Sequence, residues 1–139
     1  MALPEAQPGL VFRYDYLWNR DAREGRPSGK DRPACIAMTT GIEIDPHVVA
    51  ILPITHSKPT GKTVGFEIPP LVRRRLGLDD EPCWVIVSEH NIDEWPPPGI
   101  APLPGTKKVF AYGVLPSGLF EKIKKEFLRQ FDQARGVRR

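Results

Sequence analysis

Proline fills 16 and glycine 12 of the 139 positions, and that much punctuation limits what the chain can fold into. Proline disrupts the interior of a helix or a central strand, and glycine weakens both. This argues against a helical bundle, and short strands joined by turns are expected. Apolar residues make up 40% of the chain and charged ones 27%, which is the balance of a globular protein and not of a disordered one. The length suits a single domain over residues 1–139, with its core between roughly 9 and 131.

The net charge of +3 permits a polyanionic partner without requiring one. No apolar run approaches the ~20 residues of a membrane span. The first residues lack the basic and apolar stretches of a secretory signal. Cys35 and Cys83 each sit within apolar runs, as reduced core thiols of a cytoplasmic protein would. Without a CxxC pair or a Cys/His cluster, no zinc site and no cofactor are expected.

Hydrophobic patterning predicts strands over Gly9–Trp18, Arg32–Thr39, His47–Thr55, Thr63–Ile68, Cys83–Ser88 and Lys107–Val114. The run His47–Thr55 is nearly all apolar and is expected at the centre of the sheet. Asn19–Asp31 is polar and aperiodic, and is expected to be a long exposed loop. Pro69-Pro70 opens a short helical turn that Gly77 stops, and Trp95 anchors a proline-stiffened connector reaching Gly105. From Ser117, Phe120, Ile123, Phe127, Phe131 and Ala134 recur at helical spacing, with Gly136 as the expected stop. The expected fold is mainly β: a small, strongly bent sheet or barrel of five to seven strands with a C-terminal helix packed on it.

Gly61-Lys62-Thr63 matches only the end of a phosphate-binding P-loop: His56 stands where its first glycine belongs, and a strand follows where a helix is needed. More informative are Gly29-Lys30-Asp31-Arg32-Pro33-Ala34 and Leu52-Pro53-Ile54-Thr55. If these strands are neighbours, Arg32 and Thr55 put a permanent cation and a hydroxyl donor where a phosphate could rest.

Gly-x-x-Arg-Pro-Ala on the second strand and Pro-Ile-Thr ending the third are followed in order by Phe66-Glu67-Ile68 and Ile92-Asp93-Glu94-Trp95. Together with the terminal helix, this ordered set resembles the MazF/PemK family, endoribonuclease toxins of type II toxin–antitoxin systems. The resemblance spans roughly residues 9–131. It implies an SH3-like barrel that forms a homodimer, binds single-stranded RNA such as mRNA, and is silenced by a cognate antitoxin protein. It implies metal-independent cleavage by the RNA 2′-hydroxyl, with Arg32 and Thr55 in the functional arginine and threonine positions.

Arginine stays protonated and cannot serve as the base, so His56 is the local candidate for that role, with plain surface or RNA contact as the alternative. Lys30 and Arg26 from the long loop, Trp18 at its start and Ser57 after Thr55 are the residues expected to touch RNA. Trp18 and Tyr14 could both stack on bases, although core packing is expected of one of them. Arg73-Arg74-Arg75 spread around a helical turn and read as a solvated face. Leu10, the charged loop and Ser88-Glu89-His90-Asn91 depart from the family pattern. These departures keep open the alternative of a non-catalytic RNA- or protein-binding module on the same barrel.

Overall fold

The computed structural model describes residues 3–42, 45, 47–131 and 135–139, with only the backbone of residue 135. Three antiparallel strands form its centre: β1 (Leu10–Tyr16), β2 (Lys30–Met38) and β3 (Val48–Thr55). Both faces of this centre are buried. Val11, Cys35, Leu52 and Ile54 belong to one core cluster, while Phe12, Tyr14, Ile36 and Ile51 belong to the other. This is the two-residue period of strands covered on both sides.

Helix α3 (Ser117–Gln130) covers the first face with Phe120, Ile123 and Phe127. An aromatic row covers the second: the Trp95 ring meets Phe12 edge-on at 5.1 Å, and Trp18 meets Tyr16 at 5.2 Å. Trp95 is also held by its indole N–H, which donates to the Pro4 carbonyl at 3.0 Å. It anchors the connector as expected.

β3 divides its outer edge between two strands. Val48–Ile51 pair with β6 (Glu89–Glu94), while Ile54 and Thr55 pair with β5 (Trp84–Ile86). The break falls at Leu52-Pro53, where a residue without an N–H suits an interrupted ladder. β4 (Gly65–Glu67) lies outside β5, and β7 (Ile100–Ala101) and β8 (Ala111–Val114) share the free edge of β1. β9 (Arg135–Arg138) runs parallel to β6. The main path β4-β5-β3-β2-β1-β7 is an open sheet. Among the described residues, the pairing does not close into a barrel.

Several expectations are corrected. The loop Asn19–Asp31 begins as a helix, α1 (Asn19–Arg23), where the Ala22 N–H donates to the Trp18 carbonyl at 3.0 Å, and it ends as β2, which starts at Lys30. The connector contributes β7, and Trp84 is half-buried on β5. The helical turn is α2 (Pro70–Arg75), with its proline at the start as predicted. Ser117 is the first residue of α3 and makes no capping bond. Ala134 lies outside the described residues, and Gly136 belongs to β9, where a Cβ would sit 2.8 Å from the His90 ring. That close approach, not a helix stop, is what calls for glycine there. Cys35 and Cys83 are free and buried, and no described helix is long and apolar enough to cross a membrane.

His90 on β6 is only 3% exposed, stacked on Phe131 and edge-on to Phe127, and its Nδ1 has no hydrogen-bond partner among the described residues. Burial pushes its pKa down to about 4. In the unfolded chain an imidazole titrates near 6.5. The unfolded state therefore takes up a proton between those values while the folded state does not, and stability falls as the pH drops through this window. Denaturant unfolding at pH 7 and pH 5 should show a loss on the order of 1–2 kcal/mol. His90→Leu should remove that part of the pH dependence.

Candidate functional site

β2 and β3 pair so that Ala34 faces Pro53 and Cys35 faces Leu52. The same register, carried two residues further, sets Arg32 across from Thr55. Both residues line two neighbouring cavities, one of about 780 Å³ and one of about 460 Å³, and form the ridge common to both. Gly29 makes the approach to Arg32 possible: its N–H donates to the Asp15 carboxylate at 2.6 Å, and a Cβ there would run into the Tyr16 carbonyl oxygen. Only glycine lets the chain enter β2 this close to β1.

Arg32 is half-buried, and its Nε is enclosed with no hydrogen-bond partner among the described residues. Its guanidinium carbon lies 5.2 Å from the centre of the Trp18 ring, and that of Arg20 lies 5.8 Å from the same ring. Burial lowers the Arg32 pKa, and Arg20 adds to that, while Tyr16 and Asp21 oppose it. A guanidinium remains charged under such a shift. The result is a partly desolvated cation on the wall shared by both cavities, whose charge an anionic ligand would neutralise.

Thr55 ends β3. Its Oγ1 accepts a bond from the Ser57 N–H at 3.1 Å, which leaves the hydroxyl proton to be donated elsewhere. That small turn also bends the chain at His56, so Thr55 and His56 both reach the larger cavity despite being neighbours. The His56 ring is held at both nitrogens: Nδ1 lies 2.9 Å from the Pro82 carbonyl oxygen and Nε2 lies 2.9 Å from the Asp79 carboxylate. Both partners are acceptors, so this geometry belongs to the imidazolium. The bond to Pro82, with Asp79 and Glu81 adding to it, raises the His56 pKa against a smaller effect of burial. A charged ring has no lone pair with which to act as a base, but it has a proton to give.

The other expected residues fall in different places. Lys30 lines the larger cavity, and Ser57 and Trp18 line the smaller one. Tyr14 is wholly buried, so it is the core member of the Trp18/Tyr14 pair. Arg26 lines neither cavity and pairs within its own turn, 3.5 Å from Glu24 and 3.9 Å from Asp21.

Sequence reasoning missed Arg13 and Tyr112 in the larger cavity, joined by a 3.4 Å hydrogen bond, and Glu89 in the smaller one. Arg13 interrupts the apolar run of β1, and that was the available signal. His56, Asp79 and Glu81 bring three potential metal ligands within 4.8 Å of one another. All three are exposed, and a cation would have to open the 2.9 Å contact between His56 Nε2 and Asp79 or replace the bond to the Pro82 carbonyl.

No family model, curated protein or solved structure matches this chain. Since Arg32 is held partly desolvated with an unsatisfied Nε, Arg32→Met should leave thermal stability unchanged or raise it, as read by a melting curve.

Proposed function

We propose that the chain is a metal-independent endoribonuclease toxin of the MazF/PemK kind, cutting single-stranded RNA at the ridge between the two cavities. The observation that carries this reading is the convergence of Arg32 and Thr55, drawn from two strands, on one cleft. In the same reading the bent sheet is an SH3-like barrel. The protein works in the cytoplasm as a homodimer, and an antitoxin silences it by laying an extended or helical tail in the cleft.

The chemistry follows from the groups present. Attack by a 2′-oxygen on the adjacent phosphate concentrates negative charge on the non-bridging oxygens. Arg32 meets that charge with paired N–H donors, and the Thr55 hydroxyl adds a third. Three fixed donors also hold the phosphorus in line with the attacking oxygen. Trp18 shapes the Arg32 end of the cleft by carrying the guanidinium on its ring. Lys30 and Arg13 add cationic character to the larger cavity, which suits a polyanionic strand.

The test is purified protein on single-stranded RNA in excess EDTA. Cleavage should persist and leave 2′,3′-cyclic phosphate and 5′-hydroxyl ends. Arg32→Ala and Thr55→Val should each lower the rate on the order of 10²–10³-fold while the fold is retained. A protein that binds RNA without cutting it, and does so equally well as Arg32→Ala, would be the non-catalytic module instead.

A further inference from the structure

We propose that Glu89 and His56 are the proton-transferring pair of this cleft, Glu89 taking the proton of the attacking 2′-hydroxyl and His56 supplying one to the departing 5′-oxygen. The inference rests on the ribonuclease reading and deepens it.

In-line displacement places the entering and leaving oxygens on opposite sides of the phosphorus, so a base and an acid must flank it from two directions. The ridge provides two directions. Arg32 and Thr55 belong to both cavities, Glu89 to the smaller only and His56 to the larger only. A phosphate gripped on the ridge leaves one nucleoside on each side. The nucleoside bearing the 2′-hydroxyl would lie on the Glu89 side, and the leaving nucleoside would lie on the His56 side.

Glu89 is the one carboxylate among the described residues lining the smaller cavity. Its Oε1 accepts from the Tyr16 hydroxyl at 3.1 Å and from the Asn19 N–H at 3.0 Å. Those two bonds anchor one oxygen of the carboxylate at the cavity wall, and a positioned base requires such anchoring. His56 is oriented by the Pro82 carbonyl and Asp79. Asp79 is exposed, so it can yield the Nε2 proton to the leaving oxygen at little cost.

The step balances. The O2′–H proton passes to Glu89 as the O2′–P bond forms. The P–O5′ bond breaks, and O5′ takes the proton from His56. The products are a 2′,3′-cyclic phosphate and a 5′-hydroxyl. Glu89 then releases its proton to solvent and His56 regains one, with no water, metal or oxidant consumed.

The experiment compares two RNAs of one sequence in single-turnover cleavage by the full-length protein. One RNA is ordinary. The other carries sulfur in place of the bridging 5′-oxygen at the cut site, a leaving group that departs without a proton. Glu89→Gln retains an oxygen for Tyr16 and Asn19 but is not a base. It should slow both RNAs on the order of 10²–10⁴-fold.

His56→Asn should slow the ordinary RNA comparably and recover to near the wild-type rate on the sulfur substrate. Melting curves and affinity for an RNA with a 2′-deoxy residue at the cut site should match the wild type. The pair is overturned, and the ribonuclease reading stands, if wild type cuts but Glu89→Gln cuts within about threefold of it. The same holds if His56→Asn is equally slow on both substrates. A wild-type protein that cuts neither RNA overturns the pair and the reading together.

Discussion

Everything in the cleft depends on the pairing of β2 with β3. Cys35, Ile36, Ile51 and Leu52 are all fully buried, and both faces of the pair are covered. A slip of one residue would therefore not expose apolar groups. It would exchange the side chains that meet α3 for those that meet the aromatic row. Ala34 sits opposite the large Phe12 on β1, and Pro53 sits where the outer ladder changes partner. The two polar residues ride on that register. Slipped by one, Arg32 would face Ile54 and the ridge would be lost.

The second support is a polar network under β6. The Asn91 side chain exchanges two bonds with the Leu17 backbone, at 2.8 Å and 3.0 Å, and Asp93 accepts from the Tyr14 hydroxyl at 2.8 Å. The Arg139 guanidinium donates to the Tyr14 hydroxyl, the Asp15 carbonyl and Asn91, and lies over the Tyr14 ring at 5.5 Å. Buried polar groups satisfied to this degree rigidify and specify an arrangement. Here they fix β6 against the end of β1, and Glu89 and Trp18 lie at that junction. Burial, with the adjacent Asp93 adding to it, pushes the Tyr14 pKa far above the ordinary phenol range, so its hydroxyl stays a donor throughout.

This division also explains what the sequence disclosed. β1, β2, β3, β8 and α3 carry apolar periodicity and were legible, as were Arg32 and Thr55 at the ends of legible strands. β6 reads Glu-His-Asn-Ile-Asp-Glu, polar by composition, and its burial depends on partners 70 or more residues away in β1. β9, two arginines around Gly-Val, carries no strand signal; its pairing with β6 needs a residue without a Cβ where Gly136 lies against His90. Asp79 and Glu81 reach His56 across more than 20 residues of chain, a proximity that no spacing rule encodes.

The placement of charge has a consequence for assembly. Arg32 and Thr55 come from the two central strands, Glu89 from the polar strand β6, and His56 from the turn that Thr55 itself closes. In the proposed assignment one chain thus holds both the anion clamp and the proton-transfer groups. A homodimer of such chains would lengthen the surface available to RNA without adding any group to the reaction. Substitutions that weaken dimerisation would then act on affinity for long RNA and on its salt dependence, leaving the cleavage step on a short bound strand largely untouched. A dependence of that step on dimerisation would instead mean that the second chain completes the site.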